Sequence, residues 1–352
     1  MKRAMPNDAD ELKGQAAELR EAILQGIRGG AFFPPIAGVA IEVGYERFLE
    51  VLRDGAPQND EELFGLYALA HESIHLAQMI TSRWFFEFVH DLTRSATWAA
   101  RYESTGKLPY TGWEAKAKHE FQTLNARLSK MVSGYNALEV LETQAVIEGL
   151  WGAMPTPSAE KVVYAARQFY KAGSMYRHIL DHMVNVFGAE AAVALGPKLC
   201  SIALQYDEPG GVMSDLLRDL EEVKGSIGVL AKMSPVEILR SRQLDPLAVS
   251  RSCREIETVP RNAGDVVMAI ASDYFDGYEV LAEEKRLAAM MHPGRLKGYT
   301  QAGQSIFMPM YGLFGDGKHI DAQGSTRNLT DFATWVNIGL LMRDGIAWLS
   351  EN

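Results

Sequence analysis

The run Tyr67-Ala68-Leu69-Ala70-His71-Glu72-Ser73-Ile74-His75-Leu76-Ala77-Gln78 decides how this chain is read. It holds an HExxH pattern, two histidines at i and i+4 with a glutamate directly after the first. On a helix that spacing stacks His71 and His75 one turn apart on one face. Two neutral imidazoles so placed can share a zinc ion. Glu72 projects about a third of a turn away, where it reaches a water on the metal as general base. The reading requires a helix. No proline or glycine interrupts Tyr67 to Ala100. The apolar run from about Leu63 to Ala100 therefore predicts one long helix crossing the core. Its histidine face reads Phe64, Ala68, His71, His75, Gln78, Ser82. A polar stripe on an apolar helix is costly unless its groups are paired or bind something. The bland alternative is a satisfied pair of core histidines.

A zinc hydrolase needs three protein ligands and one open position. The third is sought on a second apolar helix, Ala137 to Leu150 (ALEVLETQAVIEGL), which carries Glu139, Glu142 and Glu148. Buried carboxylates are expensive, so three on one apolar helix need a reason. Glu142 shares its stripe with Leu138, Ala145 and Gly149, small enough in part to let two helices approach closely. Glu148 lies about 120° around the helix from Glu142, so the two do not serve one ion. Glu142 is favoured, ahead of Glu148 and then Glu139. Gln78 is a candidate for holding a ligand or substrate from behind.

HESIHLAQ followed by a Glu-x-x-Ala helix resembles the zincin metallopeptidases of the glutamate-ligand type, the gluzincins. The resemblance implies a peptidase-like zinc hydrolase, with His71, His75 and Glu142 as ligands and Glu72 as base. It also implies a substrate-aligning edge strand, for which Ala37 to Val43 is the candidate. Val146 stands where an acidic residue often follows the Glu-x-x-Ala unit.

A second reading uses Tyr176-Arg177-His178-Ile179-Leu180-Asp181-His182, another i, i+4 pair. Convergence of His178 and His182 with His71, His75, Glu142 and Glu148 would suit a dinuclear iron or manganese oxygenase in a helical body. The weaker candidates are His90-Asp91, the acidic cluster Asp273, Asp276 and Glu279, and Tyr299, Tyr311 and His319 as oxyanion stabilisers.

Composition bounds these readings. The 352 residues are 47% apolar and 23% charged, ordinary for a folded protein. A net charge of −10 argues against a nucleic-acid or anionic-membrane binder. Two cysteines, Cys200 and Cys253, make no disulfide framework, so a reducing compartment is expected. Met1 to Gly14 lacks the apolar core of a secretory signal. No apolar run is bilayer-length, since Arg343 and Asp344 break Trp335 to Trp348. The expectation is a soluble, cytoplasmic protein acting on a peptide or small molecule.

Periodicity predicts helices over Asp8–Ile27, Tyr45–Arg53, Glu114–Val132, Ser158–Phe187, Ala189–Leu204, Met213–Val223, Pro235–Arg240, Asp265–Ala289 and Leu329–Leu349. Ala37–Val43 is the one clear strand. His292–Arg327 is glycine-rich and irregular. The fold class is mainly α with a small β element near the N-terminus. A single domain over 1–352 is expected, with its HExxH-bearing core at about 31–206 and a helical and loop region at about 207–352.

Overall fold

The computed structural model describes residues 9–25, 27–36, 38–54, 57–106, 110–223, 227–233, 235–241, 311–316, 318–321 and 329–351. In chain order these form α1 (Ala9–Leu24), β1 (Gly30–Phe33), β2 (Gly38–Ile41), α2 (Tyr45–Asp54), α3 (Asp60–Thr81), α4 (Arg83–Thr105) and α5 (Trp113–Ser129). Then come α6 (Ala137–Ala153), α7 (Ala159–Phe169), α8 (His178–Phe187), α9 (Ala189–Ala203) and α10 (Pro209–Glu222). The short α11 (Ile227–Leu230) and α12 (Pro235–Ser241) precede β3 (Tyr311–Leu313), β4 (His319–Asp321) and α13 (Leu329–Ser350). The protein is mainly α, as expected. The predicted helix at 265–289, its acidic cluster Asp273, Asp276 and Glu279, Tyr299 and Cys253 lie outside the described residues.

The β element is larger than the single strand expected. Four strands pair in the order β1-β2-β3-β4, with β2 and β3 parallel and the outer pairs antiparallel. Phe32-Phe33 before Pro34-Pro35 reads as a turn, yet it ends a strand whose partner lies only a few residues on. The strands β3 and β4 fall in the stretch read as irregular. Three residues each are too few to show a period, and the pairing is held by fully buried Phe314 against Val39 and Ile41. One consequence corrects the edge-strand expectation. Strand β2 has neighbours on both sides, so the edge that faces α3 is β1.

The long helix predicted through Ala100 is two helices, split at Ser82 (φ −116°, ψ 135°). No proline or glycine marks the break. The turn is stabilised from elsewhere. Leu204 O accepts from Trp84 N at 2.9 Å and Gln205 Oε1 from Arg83 N at 3.3 Å, so the C-terminal end of α9 satisfies orphan donors at the start of α4. The helix predicted over Ser158–Phe187 is also two. Gly173 (φ +72°) permits a turn between α7 and α8. Arg177 ties that turn down by donating to Tyr170 O and Asp181 Oδ2. The break stacks Tyr170 on Tyr176, with ring centroids 4.3 Å apart.

Helix α6 runs through the middle and is buried nearly all round. It opens with a capping box: Asn136 Oδ1 accepts from Glu139 N, and Glu139 Oε2 accepts from Asn136 N. It crosses α3 very closely. A Cβ on Gly149 would sit 3.0 Å from the His71 N and Cα atoms, so glycine lets the helices come this close without displacing the His71 backbone. At the other end of the molecule α13 packs on α4 and α1 around Trp335, Val336 and Leu340. Among the described residues no helix is long and apolar enough to cross a membrane.

Candidate metal centre

The α3–α6 crossing brings three ligand atoms to one point. His71 Nε2 and His75 Nε2 are 3.2 Å apart. Glu142 Oε2 lies 3.0 Å from the first and 3.6 Å from the second. The three residues are 4%, 8% and 9% exposed. Among the described residues they are the one His/Cys/Asp/Glu group whose ligand atoms converge closely enough to hold a metal ion.

The hydrogen bonds behind the ring decide where its lone pairs point. Gln78 Nε2 donates to Leu141 O at 2.9 Å, and a carbonyl can only accept, so the Gln78 amide is oriented without ambiguity. Its Oε1 then faces His75 Nδ1 at 2.8 Å and must accept from an N–H there. In the neutral ring that leaves the Nε2 lone pair facing inward. His71 Nδ1 pairs with Tyr67 Oη at 2.9 Å, and Tyr67 Oη with Tyr170 Oη at 2.7 Å. Burial first, then the neighbouring charges, holds both phenols well above their ordinary range, so they stay protonated.

These residues fit a metal ion. Oε2 of Glu142 is buried, with His71 Nε2 3.0 Å away and no well-aligned hydrogen bond to saturate it. Three ligand atoms, one of them a carboxylate oxygen, converge on one point and suit a cation between them. Their spacing also fits. Ligands about 2.0–2.1 Å from a tetrahedral ion sit about 3.3 Å apart. In the absence of an ion a proton takes its place. Burial alone would lower the His75 pKa, but the Glu142 charge outweighs it and lifts it to about 9. Burial would likewise raise Glu142, but His75 and His71 pull its carboxyl well below the usual range.

Glu72 stands beside the ring, its Oε1 4.0 Å from His71 Nε2. Burial raises its proton affinity, partly offset by the two histidines and by a hydrogen bond from the Phe32 backbone. Glu42 N donates to Gly29 O across the β1–β2 pair, so by alternation Phe32 is a position of β1 whose N–H faces away from β2. Gly30 keeps the strand close: a Cβ there would lie 3.3 Å from Glu72 Cγ. The sheet thus positions the acid of HExxH.

The other sequence candidates fall elsewhere. Glu139 is the capping residue of α6, and its Oε1 pairs with His178 Nδ1 at 2.8 Å. His182 Nε2 meets Glu221 Oε1 at 3.3 Å. The second histidine pair therefore hydrogen-bonds two carboxylates of its own beside Tyr135 and does not join His71 and His75. His90 pairs with Asp91 within α4. His319 stacks on Phe332 in the α13 core. The tyrosines at the site are Tyr67, Tyr170 and Tyr176, none of them proposed from sequence. Tyr67 was discoverable, one helical turn before His71. Tyr170 and Tyr176 were hidden inside a helix that does not exist. The Tyr176 ring is 6.3 Å from that of His71, and its phenol is held up by burial and then by the Glu142 and Glu72 charges.

Glu148 lies outside the group of converging ligand atoms. Its partly buried carboxylate accepts from Gln144 Nε2 at 3.0 Å, and burial raises its pKa to about 7. An ordinary carboxyl near 4.5 in the unfolded chain loses its proton first, so the folded state holds more protons between these values. Stability from this group is full below pH 4.5 and is lost by about pH 7. Glu148→Gln accepts the same hydrogen bond without the charge. In chelator, the variant is expected to match wild type at about pH 4 and exceed it at pH 8 by about 3 kcal/mol, from ~1.4 kcal/mol per unit. Urea unfolding at both pH values measures this. An equal gap at both would show that Glu148 carries no charge penalty.

Comparison with family models, curated proteins and solved structures finds no match to this chain.

Proposed function

We propose that the chain is a zinc-dependent hydrolase, peptidase-like in chemistry, with His71, His75 and Glu142 holding the ion. The observation that carries this reading is the convergence of three ligand atoms with the Glu72 carboxylate beside them. A zinc ion there would polarise a carbonyl and lower the pKa of a water. Glu72 takes the proton of the attacking water and delivers it to the leaving group. Its desolvated site and the Phe32 N–H give it both the raised proton affinity and the fixed aim that a shuttling base needs. Tyr176, protonated and next to both carboxylates, is placed to donate to an oxygen that gains charge in the reaction.

Three converging protein atoms favour one ion over the dinuclear iron or manganese alternative, since His178 and His182 are engaged with Glu139 and Glu221. Elemental analysis followed by a quenched-peptide library tests the proposal. One zinc per chain and peptide cleavage blocked by a chelator are expected. Two irons per chain with an oxygen-dependent absorption change would transfer the protein to oxygen chemistry. No metal after reconstitution would end the hydrolase reading.

A further inference from the structure

Behind His75 the hydrogen bonds continue past Gln78. Gln78 Nε2 has two hydrogens; one goes to Leu141 O, the other to Gln144 Oε1 at 3.1 Å. Gln144 Nε2 in turn donates to Ser201 Oγ at 3.1 Å and to Glu148 Oε2 at 3.0 Å. Ser201 Oγ donates onward to Pro197 O, so toward Gln144 it can only accept. Every amide in the series is thereby oriented by an acceptor that cannot reverse. The donors all run outward: His75 Nδ1 to Gln78, Gln78 to Gln144, Gln144 to Ser201 and Glu148. Gln78, Gln144 and Ser201 are 2%, 3% and 8% exposed, so no water competes for these bonds.

We propose that Gln144 is a positioning residue for the metal centre, acting on His75 through Gln78 by a one-way amide relay between α3, α6 and α9. Its acceptor oxygen occupies the second hydrogen of Gln78. Without it a buried N–H is left unpaired, and the Gln78 amide turns to satisfy it. The Oε1 that fixes the His75 tautomer then leaves its place, and the Nε2 lone pair is no longer held on the ion. The relay also accounts for Gln144, a buried polar residue on α6 beyond the three glutamates that the sequence singled out.

This inference rests on the metal-centre reading, and its test separates the two. Zinc affinity of the chelator-stripped protein is measured by competition with a fluorescent indicator, with the cobalt absorption spectrum as a second readout. Gln144→Met is expected to weaken zinc binding by about 10–100-fold and to alter the cobalt bands. Gln144→Glu keeps the acceptor toward Gln78 and is expected to stay within about threefold of wild type. A merely structural role would lower both variants alike. In the double variant with Gln78→Met, Gln144→Met should cost no further affinity, because the two act in series. Gln144→Asn withdraws the acceptor by one methylene while keeping polarity, and gives the same test where the methionine variant does not fold. A wild type that binds zinc, with Gln144→Met and Gln144→Asn within twofold of it, overturns the relay alone. Additive losses in the double variant overturn it too. A wild type that binds neither zinc nor cobalt overturns the metal centre itself, and the relay with it.

Discussion

Glu72→Gln is expected to lower peptide turnover by about 10²–10⁴-fold, the range general-base removal commands, while zinc content stays at wild-type level. The geometry separates the two effects. The ligand atoms belong to His71, His75 and Glu142; the Glu72 oxygen stands 4.0 Å from His71 Nε2, near the ring but outside it. Glutamine has the same shape and still accepts from the Phe32 N–H, so β1 keeps its hold on the side chain. What disappears is the ability to take a proton. The substitution also removes a buried charge, so thermal stability should not fall. Steady-state kinetics with metal analysis on the same sample decides the matter. Activity within tenfold of wild type would remove Glu72 from the chemistry and point to another base. Loss of zinc along with activity would make Glu72 a ligand.

That the site was readable at all follows from helix geometry. His71, Glu72 and His75 sit within five residues, and one turn of helix fixes their relation whatever the rest of the chain does. Glu142 was readable for a different reason. Leu138, Ala145 and Gly149 on its stripe announce a close helix crossing, and Gly149 does lie against the backbone of His71. Long-range satisfaction could not be read. The split at Ser82 depends on Leu204 O and Gln205 Oε1, residues more than a hundred positions away, and no local residue signals it. The turn after Phe169 carries a glycine, but its effect on the site is to bring Tyr170 to Tyr67 and Tyr176 to His71, which requires the fold. The histidine pair at 178 and 182 looked equivalent to the first by spacing. Spacing says which residues share a face, not what that face meets, and theirs meets Glu139 and Glu221. Strands β3 and β4 were missed because three residues carry no period.

Glu142→Gln is expected to abolish tight zinc binding and to remove every effect of chelator on unfolding. Wild type at zinc a thousandfold above its dissociation constant gains about 4 kcal/mol of stability by mass action. Chelator should strip that gain and lower its melting temperature. In the variant the two curves should coincide. The comparison also discriminates between a metal centre and a buried ion pair, which the same three residues would form with a proton in place of the ion. If the pair alone were the purpose, breaking it would leave a buried charge uncompensated and destabilise the protein by about 3–5 kcal/mol with or without zinc. If the ion is the purpose, the metal-free difference should be small. Amide at position 142 no longer lifts the proton affinity of His75, so burial, opposed only by the Glu72 charge and the Gln78 hydrogen bond, pulls that ring toward the neutral form. The Nδ1 atoms of the two rings stay bonded to Tyr67 and Gln78. A gap between wild type and variant that opens only in zinc assigns the cluster to the metal. A gap of equal size in chelator assigns it to the ion pair.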